Sequence, residues 1–122
     1  MRTLARRIRT FRLVGKMLRK TLEHCTNKWL QDVYRRANRE CFKNRLSKDI
    51  KVQWGKCGTD MGWTLGKRLI IVNRRLKAWP RAALMVLFHE MVHIRLPGVG
   101  HGDRFQKEMR RLARIGAFRY LW

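Results

Sequence analysis

Acidic residues are scarce in this chain: 8 Asp and Glu stand against 30 Lys and Arg, a formal net charge of +22. None precedes Glu23. A small fold carrying such self-repulsion implies a polyanionic partner, and nucleic acid leads the candidates. Cysteine is also sparse. Cys25, Cys41 and Cys57 are odd in number and form no CxxC pair, which argues against a disulfide scaffold. They fit a reducing compartment: cytoplasm or nucleoid, nucleus, or mitochondrial matrix. No apolar run approaches a membrane span, which excludes integral membrane insertion. Internal repeats and low-complexity linkers are missing too. The 122 residues, 45% hydrophobic, therefore read as one domain (1–122) with one modest core.

Histidine is rare as well, with four in the chain, yet three of them, His89, His93 and His101, fall in one short stretch. His89-Glu90-Met91-Val92-His93 places two imidazoles four residues apart, which is one face of a helix. Leu84, Val86, Leu87, Phe88, Met91 and Val92 make that helix apolar, and Pro80 suits its first turn. Polar groups within such a helix need partners. Hydrogen bonding within the core is one answer. A metal is the other, and Glu90 is then placed to take a proton from a water in an open coordination position. This is the layout of a zinc hydrolase with one Zn2+ and Glu90 as catalytic base.

The third ligand is expected to be His101, which follows the turn Leu96-Pro97-Gly98-Val99-Gly100. Glu108 is a rival that would make a His₂Glu site. Asp103 is a weaker one, since it reads as a helix N-cap with Gln106 completing a capping box. The metzincin pattern is ruled out, because Leu96 and Val99 stand where it needs Gly and His.

Before this motif, 1–26 repeats apolar residues at helical spacing, with Arg6, Arg7, Arg9, Arg12, Lys16, Arg19 and Lys20 over the remaining surface. A phosphate-gripping core helix, a membrane-surface helix and a transit-peptide mimic compete for it. Continuity of its apolar stripe with the next segment favours the first. Asn27 is a plausible cap for a second helix reaching about Leu46. Strands are expected over Ile50–Trp54, Met61–Leu65 and Leu69–Val72. Trp54 and Trp63 read as core more than as groove-lining or base-stacking residues. A closing helix carries Phe105, Met109 and Leu112 inward, with Arg110, Arg111 and Arg114 outward as further nucleic-acid contacts. His24 reads as a surface or packing residue.

The run LMVLFHEMVHIRLPGVGHGDRFQKEMRRL resembles the SprT-like zinc metalloproteases, as do NRECF at Asn38 to Phe42, LSKDIKVQWGK and GKRLIIVNRRL. The likeness joins HExxH to His101-Gly102 and Phe105 and spans 38–112, the expected protease core. It implies zinc on His89, His93 and His101, with Glu90 as base. It also implies an endopeptidase associated with DNA, cleaving proteins bound or crosslinked to it. The expected fold is α+β and zincin-like, with helices on a small antiparallel three-stranded sheet. The competing function is a non-catalytic basic nucleic-acid-binding module with a structural zinc, which would need a fourth protein ligand. Tyr34, Tyr120 or an Arg are the options for stabilising an oxyanion.

Overall fold

Helix α1 spans Asn27–Cys41 and starts one residue earlier than an Asn27 cap would place it. Thr26 is the N-cap, its hydroxyl accepting from the Trp29 N–H at 3.1 Å. Asn27 is thereby freed to reach the sheet, where its Oδ1 accepts from the Trp54 N–H at 2.9 Å. Trp29, Leu30, Val33, Tyr34, Ala37 and Cys41 recur at the three- and four-residue intervals that give a helix one buried stripe. α1 ends well before Leu46 because Lys43 and Asn44 adopt positive φ, which no helix continues through. The buried Asn38 side chain closes the turn, donating to the Leu46 carbonyl at 2.9 Å and accepting from its N–H at 3.1 Å.

The computed structural model describes residues 22–118. The expected basic helix over 1–26, with Arg6, Arg7, Arg9, Arg12, Lys16, Arg19 and Lys20, lies outside them save for a 3-10 turn at Leu22–Cys25. Tyr120 lies outside as well.

Strands β1 (Lys51–Gly55), β2 (Gly62–Leu65) and β3 (Leu69–Asn73) follow, close to the expected segments. The expectation of an antiparallel sheet needs correction: the sheet is mixed. Its order is β1-β3-β2, with β2 antiparallel and β1 parallel to β3. Gly66 and Lys67, both at positive φ, form the tight turn that makes β2 and β3 a hairpin. The chain then runs up, down and up, and because β3 inserts between the other two it lies parallel to β1. Sequence alternation sets strand existence; it carries nothing about this order.

The two sheet edges differ. α1 covers β1: Gln31 donates to the Ile50 carbonyl at 2.9 Å and accepts from the Val52 N–H at 2.8 Å, beside the Asn27 bond to Trp54. Helix side chains thus close a potential pairing edge. β2 forms the other edge.

A second 3-10 turn (Arg74–Ala78) leads into α2 (Pro80–Arg95), and α3 (Asp103–Arg114) follows. Ile70 and Val72 of β3 meet Leu84, Leu87, Phe88, Met91 and Val92 of α2 in the core. Phe88 stacks on Phe42 at 6.5 Å and meets Phe118 edge-on at 5.4 Å. The fold is α+β, and among the described residues no helix is long and apolar enough to cross a membrane.

The Asn38 clamp has a measurable consequence. Asn38→Ala leaves a buried carbonyl and N–H of Leu46 without their partner, which should cost about 1–3 kcal/mol of unfolding free energy in denaturant titration.

Candidate metal centre

Pro80 occupies the first turn of α2, where its missing N–H has no helical partner to lose. From this start the apolar face turns inward, and the helix carries His89 and His93 one turn apart. The helix stops at Leu96, and Gly98 and Gly100, at φ 80° and 58°, reverse the chain. This reversal delivers His101. The three Nε2 atoms form a near-equilateral triangle: His89 to His93 is 3.1 Å, His93 to His101 is 3.0 Å and His101 to His89 is 3.0 Å.

Hydrogen bonds cannot satisfy this triangle. Each Nε2 carries either one proton or one lone pair, and a proton serves one neighbour. Three like nitrogens gather stably around a cation. Ligand bonds of about 2.0–2.1 Å in tetrahedral geometry place such nitrogens about 3.3 Å apart, close to the spacing here. The residues fit a metal, and His89, His93 and His101 are positioned to bind one ion.

Burial favours the form that ligates. The pKa of His89 is lowered to about 4, first by desolvation and then by His93 and His101. That of His93 is lowered too, by desolvation and then His101. Both rings are neutral at neutral pH, with lone pairs available. Beneath them lies the buried ring of Phe105 from α3, 4.9, 4.7 and 5.0 Å from the rings of His89, His93 and His101. Gln106 donates to the His101 carbonyl at 3.3 Å. α3 thus supports all three ligands from one side.

Glu90 is buried beside the triangle, and its Oε2 accepts from the Thr64 hydroxyl of β2 at 3.3 Å. Burial pushes its carboxyl pKa up, opposed by the Thr64 hydrogen bond and by His101, while Asp60 adds to the rise. β2 comes this close because residue 62 is glycine. A Cβ there would lie 2.7 Å from Val86 Cγ1, 3.0 Å from the Ile71 carbonyl oxygen and 3.5 Å from Glu90 Cγ. A cleft of about 440 Å³ opens over these groups, lined also by Asp60, Met61, Met85 and Met109.

The rival ligands are accounted for elsewhere. Glu108 is bonded to Arg111 within α3, and Arg111 also donates to the Cys41 carbonyl at 2.8 Å. Arg111 is therefore turned inward as a brace between α3 and the end of α1, and not outward with the exposed Arg110 and Arg114. Asp103 is an exposed first residue of α3. Gly102 is the N-cap, without a side-chain cap bond, so the expected capping box is not formed. Tyr34 is buried and donates to the Ser47 carbonyl at 2.6 Å, which removes it from any oxyanion role. Burial pushes its phenol to about 12. Trp54 is core as expected, whereas Trp63 is exposed on β2. His24 is a packing residue, buried, hydrogen-bonded to the Lys77 carbonyl at 3.1 Å and edge-on to Trp29.

Sequence reasoning gave Phe105 a place in the core but not its seat under three imidazoles, and it missed Thr64 altogether. A Thr alternating with apolar residues on a short strand carries no signal of its partner.

The SprT-like family matches residues 30–119, well over half of the chain. The chain belongs to the SprT-like family. No curated protein and no solved structure matches it. The matched residues take in all of α2 and α3 and all but the first three residues of α1.

Two substitutions separate the ligand from its rival. Removing one of the three imidazoles by His101→Ala should strip most of the bound metal ion, measured by elemental analysis of the purified protein, while Glu108→Gln should retain a full equivalent. Full metal in the first variant would reject His101.

Proposed function

We propose that the protein is a zinc-dependent endopeptidase that works on proteins bound or crosslinked to DNA. The observation that carries the catalytic part is Glu90, buried and held by Thr64 beside a triangle of three imidazoles. Among the described residues no fourth side chain joins that cluster. This favours an open coordination position, and it disfavours the structural-zinc module, which needs a closed shell of four ligands. Zinc held there would supply Lewis-acid activation of a water and of a substrate carbonyl.

The chain's own residues do the rest. Glu90, whose raised pKa makes it a readier proton acceptor, takes the proton from the attacking water and passes it to the departing amine. Thr64 restrains the carboxylate, which lines the same cleft as the three imidazoles. β2 supports a substrate-binding reading: it is a sheet edge flanking the cleft, with Trp63 and Leu65 exposed on it and Met61 exposed just before it. An extended peptide can add to such an edge, placing alternate side chains against this apolar stripe. The fold would then be zincin-like in arrangement, with edge strand and ligand helix framing one cleft.

The DNA part rests on charge, 30 cations against 8 acids. Arg6, Arg7, Arg9, Arg12, Lys16, Arg19 and Lys20 are the proposed contacts from the N-terminal segment, with Arg110 and Arg114 from α3. Attachment to DNA would raise the local concentration of proteins on the same strand, so selectivity comes from co-localisation.

Glu90→Gln should leave zinc and DNA binding intact and reduce cleavage of a DNA-bound protein by at least about a hundredfold, the scale of lost general-base catalysis. Retained cleavage in this variant would reject the base. Separately, replacing Arg6, Arg7, Arg9 and Arg12 with Gln should lower the slope of log affinity against log salt by about one for each phosphate no longer neutralised. An unchanged slope would move the DNA-binding face elsewhere.

A further inference from the structure

Trp79 is 64% exposed, between the Arg74–Ala78 turn and α2. Among the described residues the other exposed large apolar side chains, Met61, Trp63 and Leu65, belong to the segment beside the metal cleft. Trp79 does not, and nothing in the proposed peptidase chemistry uses it. Its backbone is pinned on both sides. The N–H donates to the Leu76 carbonyl at 2.8 Å, and the carbonyl accepts from the Ala83 N–H at 3.0 Å. Pro80 restricts it further. The indole therefore projects from a fixed base, so little backbone ordering would be needed on binding.

Its chemical setting is cationic. The segment Arg74-Arg75-Leu76-Lys77-Ala78-Trp79-Pro80-Arg81 holds four cations and no acid. Arg74 and Arg75 are exposed and Arg81 is half-buried, while Lys77 sits 5.8 Å over the Trp54 ring. Among the described residues the ion pairs engage Asp32, Glu40 and Glu108, which leaves Arg74, Arg75 and Arg81 without one. An apolar protein partner would have to cover these charges at a desolvation cost. A strand offering a bare base face and flanking phosphates matches both the indole and the guanidinium groups. Duplex DNA hides its base faces in the stack and matches only the charges.

We propose that Trp79, with Arg74, Arg75 and Arg81, is a docking site for single-stranded DNA, one base stacking on the indole and the arginines holding adjacent phosphates. The proposal rests on the nucleic-acid reading above and adds to it the state of the strand and the place it binds. α2 connects this site to the metal triangle. Trp79 caps its start and His89 lies ten residues further along, about 15 Å at the helical rise. A protein attached to the docked strand lies within reach of the cleft.

The test uses the full chain and fluorescence anisotropy with oligothymidylate, the same length of duplex, and oligouridylate. Trp79→Ala should bind oligothymidylate about tenfold more weakly, the scale of one base stacked on an aromatic ring, with duplex binding changed less than about twofold. Trp79→Tyr, which keeps a stacking face, should restore most of the affinity. The Trp79→Ala melting temperature should stay at the wild-type value. A fall of several degrees would assign the indole to packing and overturn the site. Equal weakening for single strand and duplex, or no weakening at all, would also overturn it while leaving the nucleic-acid reading in place. A Trp79 dependence confined to oligouridylate would overturn the assignment to DNA. If the wild-type protein bound none of the three probes, the nucleic-acid reading itself would fall.

Discussion

Three imidazole nitrogens held 3.0–3.1 Å apart are the constraint on which the described structure turns. No arrangement of protons makes that triangle self-sufficient, so the fold around it has to be strong enough to hold it together. The buried face of α2 fixes two of the rings. A glycine-based reversal and the docking of α3 fix the third. The edge of the sheet, brought in by Gly62, then supplies the neighbour that orients Glu90. Core packing, loop reversal and strand approach converge on a volume a few ångströms across.

The asymmetry of the sheet has the same logic. α1 commits the amide of Gln31 and the carbonyl oxygen of Asn27 to β1, closing that side. β2 lies on the opposite side, next to the cleft, and bears the exposed apolar residues Trp63 and Leu65, with Met61 just before it. Among the described residues one edge is thus covered and no strand pairs the other, and that second edge is the one beside Glu90.

Much of this was legible in the residues. The four-residue spacing of His89 and His93, the apolar neighbours of α2, the turn rich in Gly and Pro, and the alternation at Val52 and Trp54 each pointed to the element that forms there. Strand order was not legible, because β3 enters between β1 and β2 through long-range pairing that leaves no local pattern. Caps were misplaced by one residue at both Thr26 and Gly102, since Asn27 and Asp103 have the right chemistry but other positions. Arg111 read as a surface cation by helical periodicity. Its partners, Glu108 and the Cys41 carbonyl, include one seventy residues away in sequence, which periodicity cannot see.

Phe105 has a consequence that reaches past the cleft. Its ring is the floor on which His89, His93 and His101 all rest, yet it belongs to α3. Cation loading and seating of the C-terminal helix therefore draw on a single free energy, so that each tightens the other. A chelator would act as a mild denaturant of that helix, and the ion concentration would set how readily it frays.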